Sequence, residues 1–251
     1  MTSTQEVPWL AVLRGCCRSF LHQASWNFER MQNLGLLYQL LPGLRYLYGG
    51  SLPADVLLRY TGYFNTHPYL SPWVAGTVLR LETRRRDGET PAVDAAAFQS
   101  MVMAPYAAIG DALFWGGLRP LAAVVGLFLA VQGVVWAPLV MLGLFNLPHL
   151  LCRSCGWLIG YVQELRSVEL LQRLRLPDVA TWLKEGTVIL LGVLCACLAA
   201  RGCEHQELDP LWGLALLPAV LLFASLSRRG VSCFAMVITT AVGLLALAVV
   251  F

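Results

Sequence analysis

Residues 121–145, LAAVVGLFLAVQGVVWAPLVMLGLF, carry no charged side chain, and between Met101 and Gln163 only Asp111, Arg119 and Arg153 are charged. A run this apolar constrains the fold more than any other feature. As a helix rising 1.5 Å per residue it reaches about 37 Å, enough to cross a hydrocarbon core with some tilt. Pro138 would kink such a helix, which a membrane tolerates when neighbouring groups satisfy the freed carbonyl. Three further apolar runs follow. Residues 186–200 and 211–226 are short for a full crossing, and the second carries Pro218; residues 231–251 are long enough to span.

Composition supports the membrane class. The chain has 251 residues, 57% of them hydrophobic and 13% charged, against roughly 25% charged in soluble domains. A soluble core of this length cannot hide that much apolar surface. The net charge of +3, with no basic run interleaved with aromatics, excludes a nucleic-acid binder. The arginines gather at segment ends instead: Arg84, Arg85 and Arg86; Arg166, Arg173 and Arg175; Arg228 and Arg229. Such clusters flank membrane helices on the cytoplasmic side, so the last run is expected to start there. No cleavable signal is expected, since Arg14 and Arg18 interrupt the first apolar stretch, and no internal sequence repeat is visible.

Amphipathic connectors join these runs. Residues 163–176 space their charges like an interfacial helix. Residues 80–94, with Asp87-Gly88 and Pro91 as turn signals, read as the extramembrane loop of the first half. The fold class is therefore an all-α integral membrane protein, multi-span, with broken or re-entrant helices and amphipathic connecting helices. Three regions are expected: 1–99, polar-striped and re-entrant; 100–165, core membrane helices with a broken-helix motif; and 166–251, an amphipathic helix followed by membrane helices. The eight cysteines suggest no disulfide framework. Cys152 and Cys155 form a lone CxxC without the second ligand pair a zinc site requires, so neither metal nor cofactor is expected.

Against this background Ala24–Gly49, ASWNFERMQNLGLLYQLLPGLRYLYG, is anomalous, because Asn27, Glu29, Arg30, Gln32 and Asn33 crowd its first third. On a helical wheel over 23–37, Gln23, Trp26, Glu29, Arg30, Asn33 and Leu37 fall within an arc of about 120°. One reading is a surface helix with Glu29 and Arg30 solvated. The other is a half-buried helix lining a sugar-sized cavity: Trp26 supplies a flat apolar face for a pyranose ring, and the carboxylate and amides pair with hydroxyls.

Two other stretches follow the same logic. In YFNTHPYL, Asn65, Thr66 and His67 precede Pro68, which predicts a turn or helix break; His67 reads equally well as a hydrogen-bonded turn residue. In APYAAIGDALFWGGLRP, Asp111 sits between apolar runs, and a carboxylate at membrane depth marks a functional site unless it is paired. A structural Asp111–Arg119 pair is the rival. Gly110, Gly116, Gly117, Pro105 and Pro120 predict discontinuous helices, which expose backbone at the substrate sites of transporters.

Taken in order, ASWNFERMQNLGLLYQLLPGLRYLYG, FNTHPYL and IGDALFWGGLRP resemble the IID subunit of mannose/fructose/sorbose-family phosphotransferase systems (PTS). The likeness is most specific over 18–120. It continues more weakly through LFNLPHLLCRSCGWLIGY, LKEGTVILLGVL and LDPLWGLALLPAVLLFASLSRRGVS. The resemblance implies a multi-pass subunit of the bacterial cytoplasmic membrane, paired with a IIC subunit to form the sugar-translocating unit, several pairs assembling together. It also implies cytoplasmic IIA and IIB phosphocarriers, with IIB phosphorylating the hexose as it arrives. The IID subunit of this family is not known as a phosphocarrier, so His22, His67, His149 and His205 need not be catalytic. The chain departs from relatives in reading APYAAIGDA where they commonly read like GPLAGIGDS, in the brevity of GCEHQELD (202–209), and in a shortening before Ala104.

The expected site follows. Trp26 stacks on the sugar; Asn27, Glu29, Asn33, Asn65 and Asp111 hydrogen-bond its hydroxyls or position the groups that do. His67 and Arg119 fix the turn and the local charge, with Arg30 and Trp115 in support. The alternative is a scaffold subunit that stabilises IIC and recruits IIB without touching sugar. A membrane-embedded enzyme using His67 and Asp111 as acid and base lacks a nucleophile or metal beside them.

Overall fold

The structure is a computed structural model and describes residues 6–250. These residues are helical with no strand among them, and they divide into one unit reaching to Leu190 and another starting at Leu191. In the first unit, helix α1 (Trp9–Ser19) leads into a short 3₁₀ turn, His22–Ser25. Then follow α2 (Asn33–Tyr48), α3 (Ala54–Tyr60) and α4 (Ser71–Arg86). Next come α5 (Ala95–Gly110), a π-helical segment (Asp111–Leu118) and α6 (Arg119–Val131). Helices α7 (Ala137–Gln163), α8 (Arg166–Arg173) and α9 (Leu176–His205) complete the series. The second unit holds the end of α9, α10 (Leu216–Arg228) and α11 (Cys233–Val250).

The core is built around α4. Nearly every residue from Ser71 to Thr83 is buried, so this helix is covered all round and shows no one-sided stripe. Helix α2 lays Leu36, Leu40, Leu44 and Leu47 against it at helical spacing. Its most extensive contact is with α7. There a Cβ on Gly156 would fall 1.9 Å from Trp73 Nε1, and one on Gly160 would fall 2.4 Å from the Trp73 carbonyl. Small residues let the two backbones touch, the usual device for helix contact in membranes.

A buried carboxylate pins the other side of α4. Glu82, fully buried, accepts from the Tyr48 hydroxyl (2.5 Å), the Tyr60 hydroxyl (2.6 Å) and Arg59 Nη1 (2.9 Å). A buried charge is tolerated only when it is paired and hydrogen-bonded in this way.

Four stretches, Ala95–Val131, Ala137–Gln163, Arg166–His205 and Leu211–Arg228, are long and apolar enough to cross a membrane. Helix α10 buries none of its described side chains, as lipid-facing helices do.

Several expectations are corrected. The polar run at 23–37 is not one helix: after the 3₁₀ turn the backbone is irregular through Gln32, with Met31 at φ 56°, and α2 begins only at Asn33. The wheel therefore describes no real face. The apolar run 121–145 is not one crossing either. Helix α6 stops at Val131, where Gly133 (φ 80°) and the Val134 N–H to Leu129 carbonyl bond (3.0 Å) form a Schellman-type cap. Pro138 sits harmlessly in the first turn of α7. Residues 186–200 belong to the 30-residue α9, so they are no short span. Of the 80–94 loop, Arg80–Arg86 extends α4, and the connector starts at Asp87.

The break predicted at Gly110–Pro120 takes the form of a widened turn inside the continuous helical run Ala95–Val131. Pro120 has no N–H and its ring crowds the Gly116 carbonyl; shifting to an i→i−5 pattern, seen as Arg119 N–H bonding Phe114 O, absorbs that misfit.

Candidate functional site

Residues 61–67 run alongside the irregular loop 27–32, and polar side chains fasten the two. Gln32 N–H bonds the Phe64 carbonyl (2.8 Å), and Gln32 Nε2 bonds the Thr66 carbonyl (2.8 Å). Gln32 Oε1 accepts from Thr66 N–H (3.1 Å) and pairs with His22 Nε2 (3.0 Å). Asn33 Nδ2 donates to the Thr61 carbonyl (2.8 Å), and Asn27 Nδ2 donates to Asn33 Oδ1 (3.0 Å). Arg30 Nη1 also reaches the Thr61 carbonyl (3.1 Å). These bonds explain the amides in an otherwise greasy chain: where the two non-helical segments are buried, at Gln32–Asn33, Phe64 and Thr66–His67, the backbone must satisfy its hydrogen bonds by other means. His22 is held at both ring nitrogens, since Gln39 Nε2 contacts Nδ1 at 2.7 Å. Burial pushes its pKa down, so the ring is neutral.

The fastened segment delivers His67 to the π-helix. Its carbonyl accepts from Leu70 and Ser71 N–H at 2.9 and 3.0 Å, starting α4, and its Nδ1 accepts from Tyr69 N–H at 3.3 Å. The ring proton is thereby assigned to Nε2. That atom is buried and among the described residues has no hydrogen-bond partner. It points toward Asp111 Oδ1, 4.0 Å away, on a side chain 63% exposed. Burial, reinforced by the nearby Arg153 cation, pushes the His67 pKa down to about 4. The contact is therefore a neutral donor facing a carboxylate rather than an ion pair, and at this distance it is no hydrogen bond.

Rings wall this corner. Phe114 stacks on His67 (5.1 Å, 14° between planes), and Trp115 tilts beside it at 5.2 Å. Tyr69 meets His67 edge-on at 4.9 Å and stacks on His149 at 4.3 Å. Gly110 makes room, because a Cβ there would lie 2.2 Å from the His67 ring.

Of the sequence-chosen residues, the fold brings together His67, Asp111 and Trp115, with Arg119 5.7 Å above the Trp115 ring rather than on Asp111. Asn65 is next to His67 in the chain and its N–H reaches Met103 Sδ (3.0 Å). Asn27 and Asn33 are spent on the loop. Trp26 and Glu29 are exposed, Glu29 with Arg30 Nε 3.7 Å away. Among the described residues no hydrogen bond, ion pair or ring contact joins Trp26 or Glu29 to His67 or Asp111.

Sequence reasoning missed Gln32, Tyr69, Phe114 and Arg153 as site-builders. Arg153 is buried on α7, donates to the Ser19 carbonyl (2.6 Å) and lies over Tyr69 (5.1 Å). The signal was present: it is one of three charges in 63 residues, the argument already applied to Asp111.

Comparisons with known proteins agree with this architecture. Residues 11–200 match the family model for the PTS system mannose/fructose/sorbose family IID component. The mannose-specific EIID component of Escherichia coli (strain K12) is 37% identical over 174 residues, 67% of this chain and 61% of that protein. The fructose permease IID component of Bacillus subtilis (strain 168) is 35% identical over 177 residues, 69% of this chain and 62% of that protein. The chain thus spans a little over 60% of the length of these curated relatives. Two solved structures are similar along almost the whole chain. One, described as a structure of a membrane protein, has TM-score 0.72 and 26% identity, covering 97% of this chain and 98% of that one. The other, a cryoEM structure of the mannose transporter ManYZ in complex with microcin E492, has TM-score 0.59 and 26% identity, covering 97% of each.

Proposed function

The chain belongs to the IID component family of the mannose/fructose/sorbose phosphotransferase systems, and from that membership we propose that it forms, with a IIC membrane subunit, the unit that binds and translocates a hexose. The membrane in question is the bacterial cytoplasmic membrane. A IIB phosphocarrier, charged by IIA, phosphorylates the sugar on the inner side, which lowers its affinity for the site and prevents its return. The translocation itself is alternating access, with the site carried between two sides.

One observation carries the sugar-binding part. The buried Nε2–H of His67 lacks a partner and stands 4.0 Å from an exposed carboxylate. A hydroxyl placed between them accepts from His67 and donates to Asp111, which is what a sugar rim offers. Trp115, beside both, supplies an apolar face for the ring carbons. His22, buried with both nitrogens engaged, has no free lone pair to accept a phosphoryl group, in keeping with IIB as the donor.

The test is hexose binding and uptake by the assembled complex. Asp111→Ala is expected to lose affinity with assembly intact; unchanged uptake and affinity remove Asp111 from the site.

A second reading has its own observation. Phe28, at the tip of the 27–32 loop, is 102% exposed, and Trp26 beside it is half exposed. This tip is a subunit-contact surface, so Trp26 and Glu29 bind the partner instead of sugar. A photoreactive hexose that labels Trp26 favours the sugar role; label elsewhere, with Phe28→Ser weakening co-purification of IIC, favours the contact role.

A further inference from the structure

Behind the ring cluster lies an apolar cavity of about 510 Å³, within the ~300–1,000 Å³ range of ligand sites. Trp73, Phe114, Leu118, Leu171, Val179 and Leu183 are among its walls; the π-helix, α4 and α7 close one side, and α8 and α9 close the other. Phe114 is a shared wall, one face toward this cavity and the other stacked on His67. The remaining lining is Leu, Ile, Pro and the two cysteines Cys152 and Cys155. A cavity with so few polar groups gives water no hydrogen bonds, and it gives a sugar none either.

The mouth is rimmed by leucines. Leu151, Leu170 and Leu174 line it and are themselves exposed; Leu151 sits on α7, which is apolar enough to cross a membrane, and the other two on the charged, amphipathic stretch 166–175. What such a mouth meets is the boundary between headgroups and acyl chains. Helix α8 also carries charge to the rim. Glu164 is taken by Arg84 (2.9 Å) and Asp178 by Arg175 (2.5 Å). That leaves Arg166 and Arg173 against a single carboxylate, Glu169, and among the described residues neither arginine has an ion pair. Arg173 directly precedes the rim residue Leu174.

We infer that this cavity binds one acyl chain of an anionic phospholipid, with the headgroup phosphate held by Arg173 and Arg166 on α8. Apolar length goes to the pocket and negative charge to the unpaired guanidinium, which pairs well with phosphate oxygens.

The experiment is native mass spectrometry on the protein in the assembly in which it is extracted, delipidated and then offered phosphatidylglycerol or phosphatidylcholine of equal chain length. A retained phospholipid is expected, with phosphatidylglycerol preferred at least fivefold. Val179→Phe with Leu183→Phe fills the cavity and is expected to abolish retention. Arg173→Glu, an exposed change that leaves the fold alone, is expected to erase the headgroup preference while a lipid still binds. If the filled variant does not fold, dibrominated acyl chains provide a second measurement: they should quench wild-type tryptophan fluorescence more than that of Trp73→Phe. Equal quenching, undiminished lipid in the filled variant, or a cross-link from position 179 to a partner polypeptide in place of lipid each overturns the assignment.

Discussion

His67 Nε2 and Asp111 Oδ1 face each other across 4.0 Å, one atom buried and without a partner, the other on an exposed side chain. That gap is too wide for a direct hydrogen bond and suits one bridging hydroxyl. The two residues lie 44 positions apart. They meet because the 61–67 segment is fastened to the 27–32 loop while Gly110 leaves space for the ring.

Asp111→Asn tests the carboxylate half of the bridge. The amide keeps shape and an acceptor but loses the charge. Hydrogen bonds to charged groups contribute roughly 1.5–3 kcal/mol, so hexose affinity is expected to fall about 10- to 100-fold. Because the side chain is exposed, thermal stability should not change. Binding isotherms on the purified complex, alongside a melting curve, separate the two quantities; tight binding by Asp111→Asn refutes the charge-assisted contact.

Gly110→Ala tests the close approach. A Cβ 2.2 Å from the His67 ring must displace that ring, and the Phe114 stack leaves it little room. Loss of hexose binding is expected with a lowered melting temperature, since overpacking a tight site costs typically about 1–3 kcal/mol. Adding His67→Gly, which removes both the ring and the Cβ that lies equally close, should recover most of the lost melting temperature and leave binding absent. A rescue of binding as well would show that His67 takes no part.

Acid tests the neutral state of His67. Its folded pKa, about 4, lies below the ordinary 6.5. The unfolded chain therefore binds the proton first as pH falls, and the contribution to stability is fully present above about 6.5 and lost progressively as pH drops toward 4. The shift corresponds to at most about 3 kcal/mol. Melting temperatures at pH 7.5 and 5 should differ more for wild type than for His67→Gln; parallel curves would place the titration elsewhere.

How legible all this was follows from the physics of each segment. The apolar runs announced a helical membrane protein because burial in lipid demands long uncharged stretches and little else. Asp111 could be picked out because a lone carboxylate among apolar residues is costly wherever it sits. The 27–32 loop was not legible as a loop: its apolar and polar residues fit a helical period by chance. What breaks that helix is the Gln32–Thr66 and Asn33–Thr61 bonding to a partner segment about 30 residues away, which no local pattern encodes. The π-helix was half visible, since Gly116, Gly117 and Pro120 signalled irregularity without choosing between a break and a widened turn. The Glu82 cluster was invisible for the same reason as the loop, with Tyr48, Arg59 and Tyr60 arriving from α2 and α3.

That cluster gives the last prediction. Glu82 is fully buried yet holds three donors, two of them tyrosine hydroxyls. Burial first, then the carboxylate itself, pushes Tyr48 up to about 12 and Tyr60 well above its ordinary value, so both remain protonated donors through neutral and mildly alkaline pH. For a raised pKa the contribution is fully present below about 10 and is lost only as pH climbs beyond it, so stability should be level between pH 7 and 9 as far as this cluster is concerned. Removing the carboxylate is another matter. Glu82→Ala strands two hydroxyls and leaves Arg59 only the exposed Asp55 carboxylate 3.6 Å away, a change expected to cost about 3–5 kcal/mol. Tyr60→Phe removes one donor from a carboxylate that keeps two, and about 1–2 kcal/mol is expected. Melting curves of both variants should show that order, with hexose affinity unchanged in whatever protein remains folded. A larger loss from Tyr60→Phe than from Glu82→Ala would mean that the Tyr60 hydroxyl, rather than the buried charge, fastens α3 to α4.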